Sequence, residues 1–127
     1  MRRHISSGAV WEERFGYSRA VRAGNIIEVA GTTAVDGETV IGEGNIYEQT
    51  KFIFRKIERA LEEAGGTMAD VVRTRMYVTD ISQSEAVGRA HAEFFAAIRP
   101  AASMIEVRGF IDPRLLVEIE VTAVLSL

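Results

Sequence analysis

Two stretches of this chain carry apolar residues at three- to four-residue spacing along one side only, while the other patterned stretches alternate. That combination constrains the fold most, because a helix with one apolar side must be laid on something, and alternating strands supply a sheet. The first helix is expected to open at Asn45, with Glu48 three residues on as its capping-box partner. Ile46, Ile53, Ile57, Leu61 and Ala64 form its inner stripe, and Gly65-Gly66 stops it, since glycine takes the left-handed position after a helix without a Cβ penalty. The second opens at Ser82 or Ser84, turns Val87, His91, Phe94, Phe95 and Ile98 inward, and ends at Pro100.

Alternation places strands at Ser18 to Arg22 and Ile26 to Ala30, joined by a tight turn at Ala23-Gly24-Asn25, and at Val71 to Thr79, Ser103 to Arg108 and Val117 to Val124. A further short strand near Ile5 is a weaker expectation. The order β-β-α-β-α-β-β implies an α+β layer with both helices on one face of a mixed sheet. The other face would then carry Arg73, Arg75, Glu118 and Glu120, either solvated or packed in an oligomer where opposite charges pair.

A length of 127 residues fits a single domain over 1–127, large enough to build a core without disulfides. With no cysteine, disulfides, thiolate zinc sites and a cysteine nucleophile are excluded. No metal site or cofactor is expected: the two histidines, His4 and His91, lie far apart, and Gly42-Glu43-Gly44 falls well short of a phosphate-binding loop. His91, on an inner helix face, reads as a core or interface histidine. The longest apolar run, Phe94 to Ile98, is five residues, too short to cross a membrane, and Met1-Arg2-Arg3-His4 has no apolar stretch behind it to make a secretory signal, so a cytoplasmic location is expected. A net charge of −3 gives no electrostatic footprint for nucleic acid. Thirteen of the fifteen basic residues are arginine, which suits bidentate anion recognition but equally fits genomic base composition.

What remains for chemistry is acidic. Glu118 and Glu120 share one strand face at i, i+2, close enough to perturb one another's ionisation, as general acid–base catalysis exploits. Salt-bridge partners for Arg73 and Arg75 would have the same spacing.

The chain resembles a known family along nearly its whole length. Gly16-Tyr17-Ser18-Arg19-Ala20-Val21-Arg22-Ala23-Gly24-Asn25 followed by Val29-Ala30-Gly31-Thr32 is similar to the "PYSQAVxxGN…SGQ" opening of the Rid (YjgF/YER057c/UK114) family. Ala64-Gly65-Gly66, Val71-Val72-Arg73 and Asp80 after Tyr77-Val78 resemble its "AG…DVVK…V(Y/F)xxD" stretch. Phe94-Phe95, Arg99-Pro100-Ala101-Ala102-Ser103 and Val117-Glu118-Ile119-Glu120 resemble its "FF…PARS…(V/I)EIE" ending. The resemblance implies a chorismate-mutase-like fold assembled as a homotrimer, with the open sheet faces forming a central barrel and small-molecule sites in clefts between subunits. It further implies hydrolysis of enamine or imine metabolites to 2-oxo acids and ammonia. In that reaction an arginine of "PARS" clamps the substrate carboxylate and a glutamate of "EIE" positions water. A tyrosine and main-chain groups near "SGQ" complete the pocket.

By position, Tyr17 matches the tyrosine, Gly31 the glycine of "SGQ" and Glu118 the first glutamate of "EIE". Ala102 stands where the arginine belongs, while Ala30 and Thr32 replace the serine and glutamine. Losing a charge-assisted bidentate contact in a buried site costs on the order of 2–4 kcal/mol, or roughly 30- to 1,000-fold in transition-state stabilisation. Arg108 is poorly placed to substitute, being of opposite pleat parity to Ser103 and some 15 Å from it at about 3.3 Å per residue. Arg99, Arg19 and Arg75 reach the cleft only if the tertiary or trimer arrangement brings them there. Two functions follow: a cofactor-free hydrolytic deaminase in which Glu118 orients water and Tyr17 contacts the substrate, or a non-catalytic metabolite-binding trimer with a regulatory or scavenging role. Endoribonuclease-like activity is a weaker third, disfavoured by the acidic balance.

Overall fold

The computed structural model describes residues 1–126. Six strands form one sheet in the order β1-β2-β3-β8-β6-β7: β1 (Arg2–Ile5), β2 (Ala20–Ala23), β3 (Ile26–Thr32), β8 (Val117–Val124), β6 (Val71–Val78) and β7 (Ala101–Glu106). All neighbours are antiparallel except β6 and β7, so the sheet is mixed, as expected. The helices α2 (Ile46–Glu63) and α3 (Ser84–Phe95) cover one face. Under them lie Ile27, Val29, Met76, Val78, Val117, Ile119 and Val121, packed against Ile53, Phe54, Ile57 and Leu61 of α2, all buried. Phe54 holds the two helices together, its ring centroid 5.3 Å from those of both Phe94 and Phe95. His91 joins this aromatic group and its Nε2 lies 2.9 Å from Thr74 Oγ1 beneath it, which makes it a core histidine of this chain.

The ends of the elements show where local sequence signals were overruled. Asn45 caps α2 by accepting a hydrogen bond from the Glu48 backbone N–H at 3.1 Å, but its own N–H goes to the Gly42 carbonyl, so only half of the expected capping box forms. Gly65, at φ +92°, reverses the chain after α2, and the Gly66 N–H closes on the Leu61 carbonyl at 2.8 Å. The second helix ends at Phe95 rather than at Pro100: the N–H groups of Ile98 and Arg99 both bond the Phe95 carbonyl, and Arg99 takes the left-handed conformation (φ 56°). That sharp reversal lets β7 begin at Ala101, directly after Pro100, so the strand expected at Ser103 to Arg108 sits two residues earlier, paired in parallel with Arg73 to Val78. The strand near Ile5 is present as β1. Two elements had no sequence signal: α1 (Val10–Phe15), whose apolar residues are largely exposed and therefore show no burial period, and a two-residue hairpin of β4 (Val35–Asp36) and β5 (Thr39–Val40) turning at Gly37.

The uncovered face carries the charged alternation. Glu120 accepts a hydrogen bond from the Tyr77 hydroxyl at 2.9 Å and lies 3.9 Å from Arg75 Nε. Arg73 donates to the Ser103 hydroxyl instead, and Thr122 to Glu28.

Candidate functional site

The site is built on an irregularity in β3. Val29 pairs with Val121 and Thr32 with Ile119, so two residues, Ala30 and Gly31, stand opposite Glu120 alone. Such a bulge re-aims the main chain and the side chains beside it. Here it brings Gly31 against the Glu118 side chain: a Cβ at position 31 would lie 2.7 Å from Glu118 Oε2 and 2.8 Å from its Cδ. Gly31 is therefore a residue of close approach, not of special dihedral angles. The Gly31 carbonyl accepts a hydrogen bond from Arg19 Nη2 at 2.6 Å, so carboxylate and guanidinium flank one residue.

Glu118 is half-buried, and among the described residues no donor bonds its carboxylate. Burial pushes its pKa above the ordinary carboxylate value, the nearby Glu120 charge adds to this, and Arg19 opposes it. Glu120, by contrast, is held by Tyr77 and Arg75; the phenol's pKa is raised in turn, chiefly by its bond to Glu120. Both glutamates project from the same sheet face, yet Glu118 leans toward β3 and Glu120 toward β6.

Close to Arg19 lies a cation that sequence reasoning missed. Lys56, on α2, donates from Nζ to the carbonyls of Thr33 (3.0 Å) and Val35 (2.8 Å), just beyond the bulge. Burial, reinforced by the Arg19 charge, lowers its pKa to about 8. Its only sequence signal is a polar residue within the helical pattern, one place before the inner Ile57, which distinguishes it from no other surface lysine.

The four positions matched by resemblance fall into three places. Gly31 and Glu118 touch. Tyr17 follows the left-handed Gly16 that ends α1, is partly exposed, and lines a shallow pocket of about 500 Å³ with Arg2, His4, Ala30, Arg75 and Glu120, so it neighbours the bulge without meeting Glu118. Ala102 is exposed on the edge strand β7 in register with Thr74, two strands and three residues from Glu118, or roughly 14 Å at strand spacings of about 4.8 Å and 3.3 Å per residue. Within one subunit it belongs to no common site with Glu118. Of the alternative arginines, Arg108 lines a separate pocket with Thr79, Phe110 and Pro113, Arg75 is engaged with Glu120, and Arg99 is exposed in the turn before Pro100. Arg19 alone reaches Gly31. Among the described residues no helix is long and apolar enough to cross a membrane, and no group of three potential metal ligands occurs.

Comparison with known proteins gives a consistent result. The family model described as Endoribonuclease L-PSP matches residues 11–125. The uncharacterized protein SCO2049 of Streptomyces coelicolor is 47% identical over 121 residues, covering 95% of this chain and 90% of that protein. A RutC family protein of Pyrococcus abyssi, PYRAB12510, is 37% identical over 108 residues, 84% of each chain. Among solved structures, Rv2704 of Mycobacterium tuberculosis, described as a member of the YjgF/YER057c/UK114 family, superposes with a TM-score of 0.90 at 50% identity, covering 98% of this chain and all of that one.

Proposed function

This chain belongs to the YjgF/YER057c/UK114 (Rid) family, the family of the Endoribonuclease L-PSP model, and from that premise we propose that it works as a homotrimer holding a small enamine- or imine-like metabolite between subunits. The observation that carries the reading is Glu118: a half-buried carboxylate with no internal hydrogen-bond partner, pressed against a glycine. A group placed so is free to accept a bond from water, and its raised pKa makes it a stronger base than an ordinary glutamate. In the proposed reaction Glu118 takes a proton from water as the oxygen adds to the C=N carbon and passes it to the nitrogen; the carbinolamine's hydroxyl proton then moves to the nitrogen as the C–N bond breaks, releasing ammonia and leaving a carbonyl.

The trimer is supported by β7. It is one of the two edges of the sheet, with Ala102 exposed and Ile105 49% exposed, and a trimer that laid this edge across the open face of a second subunit would bring position 102 to Gly31 and Glu118. Tyr17 would contribute from the neighbouring pocket, and the whole of 1–127 would act as one domain. Because Ala102 offers only a methyl group, turnover of 2-imino acids lacks the contribution that an arginine clamp at this position would make. The same observation favours the second reading, a trimer that binds a metabolite without turning it over. RNA cleavage, the activity in the family model's description, sits poorly with a net charge of −3.

The test couples the protein to a pyridoxal-phosphate threonine dehydratase and follows 2-oxobutyrate release, alongside light scattering. A particle of three times the 14.0 kDa chain mass and a slow acceleration lost in Glu118→Gln support the enzymatic reading. Ligand-dependent thermal stabilisation lost in Glu118→Gln, without turnover, supports the binding reading. A monomer at micromolar concentration would remove the shared cleft from both.

A further inference from the structure

We propose that Arg19 is the anion-recognising residue of the Glu118 site, and that the site therefore selects small metabolites bearing a carboxylate despite Ala102. The inference rests on the reading of that site given above and adds its selectivity.

Arg19 has unspent hydrogen-bonding capacity. A guanidinium has five N–H donors in a rigid fork. Arg19 commits Nη2 to the Gly31 carbonyl, while its Nε is shut off from solvent and has no acceptor among the described residues. No carboxylate lies within 4.0 Å of it among the described residues: Glu118 stands on the far side of Gly31, and Glu12, which also feels the Arg19 charge, is taken up by the Ser7 backbone N–H at 3.1 Å and by the Ser7 hydroxyl. Lys56, the other cation nearby, is spent on two main-chain carbonyls. A half-buried cation left without a counter-charge is costly, and an arriving anion would relieve that cost.

Position favours a ligand role as well. The bond to Gly31 fixes the guanidinium beside the bulge that presents Glu118, near enough for its charge to act on that carboxylate, so an anion on the terminal nitrogens of Arg19, rather than on the enclosed Nε, would share a neighbourhood with Glu118. A substrate with a carboxylate next to its C=N carbon is the compact molecule that such a pair of groups would take. In this chain the recognising charge thus comes from the residue immediately before β2, at the position occupied by glutamine in the "PYSQA" pattern, instead of from β7.

Titration of the trimeric protein with 2-oxobutyrate and with 2-oxobutanamide, its uncharged counterpart, measures the discrimination owed to the carboxylate. Wild type is expected to prefer the acid. Arg19→Gln should reduce that preference by roughly 10- to 100-fold by weakening the acid alone, since a charge-assisted fork is lost. Arg19→Lys, which keeps the charge but not the fork, should fall between, and decides the matter should Arg19→Gln fail to fold. If both variants keep the wild-type preference within about twofold, Arg19 does not recognise the anion, though the site reading stands. If wild type binds neither compound, the reading of the site itself falls, and this proposal with it.

Discussion

Substituting Gly31 by alanine separates the role of the Glu118 position from the stability of the fold. The new methyl carbon would sit 2.7 Å from Glu118 Oε2, about 0.7 Å inside the distance at which ordinary contact begins, with Cδ almost as close. The backbone tolerates alanine, because Gly31 is not in the left-handed region, and the atoms in the way are the far end of a flexible side chain. The carboxylate should therefore swing away from the bulge toward solvent. Restricting the unfolded chain gains about 0.4–1 kcal/mol, which offsets the cost of the new rotamer. The unfolding free energy is expected to stay within about 1 kcal/mol of the parent, a melting shift within roughly 6 °C for a chain of this size. The ionisation of Glu118 should change far more than the stability. Its pKa is raised chiefly by burial, so displacement lets it fall back toward the ordinary carboxylate value, and ligand-dependent stabilisation should disappear. A carbon-detected NMR titration of the Glu118 carboxyl in both proteins reads this directly. An unmoved titration midpoint in Gly31→Ala, or a stability loss above about 2 kcal/mol, would refute the claim that close approach to a glycine holds this carboxylate in place.

Glu118→Gln tests the same group from the other side. A folded-state pKa above the unfolded value means that the native protein holds the proton longer, so Glu118's contribution is present at acid pH and lost as pH rises through the raised value; denaturant melts of Glu118→Gln should lack that decline and be at least as stable as wild type at pH 7. Lys56 has the opposite dependence: with a native pKa of about 8 against 10.5 unfolded, the unfolded chain binds more protons between those values, and stability should rise with pH there, a rise that Lys56→Met removes in melts at pH 7.5 and 10. His91 is half-buried, with its pKa lowered by that burial, so stability should fall as pH drops below about 6.5, and His91→Leu should flatten the acid limb of the same melts. Glu120→Gln should lower stability by about 1 kcal/mol or less in the isolated subunit, because it keeps an acceptor for Tyr77 and weakens only a 3.9 Å ion pair that is more than a third exposed; the effect should grow only if trimer formation buries that face.

The sheet was legible in the sequence because its buried face is continuous. Val117, Ile119 and Val121 alternate without a break, and β8 matches the expected span residue for residue. Ile53, Ile57 and Leu61 likewise betrayed α2, because a helix lying on a sheet must keep one side apolar. Elements that bury little left no comparable trace. Helix α1 turns Val10, Trp11 and Phe15 outward, and the β4–β5 hairpin is two residues long on each side. The shifted start of β7 depends on Arg99 adopting a left-handed conformation, which no local propensity favours in an arginine. At the site, motif resemblance located Gly31 and Glu118 but gave no physical reason for their pairing, and it passed over Lys56, whose neighbours Thr33 and Val35 are more than twenty residues away in sequence.

The two glutamates of β8 show why spacing alone left the chemistry undecided. Pleat parity makes Glu118 and Glu120 equivalent, and a perfectly regular sheet would have kept them so. The extra residue in β3 breaks that symmetry. It draws the main chain at Gly31 against Glu118, leaving that carboxylate half-buried beside a glycine and a guanidinium, with no donor of its own. Glu120, one pleat further along, turns to the regular strand on the other side, where Tyr77 and Arg75 satisfy it. One carboxylate is thereby given partners by the fold while its neighbour is kept available. The same bulge, through the Gly31 carbonyl, also holds Arg19 with its remaining donors uncommitted. A single inserted residue thus places an acid–base group and a cation on either side of one glycine, and the reactivity proposed for this chain follows from that asymmetry.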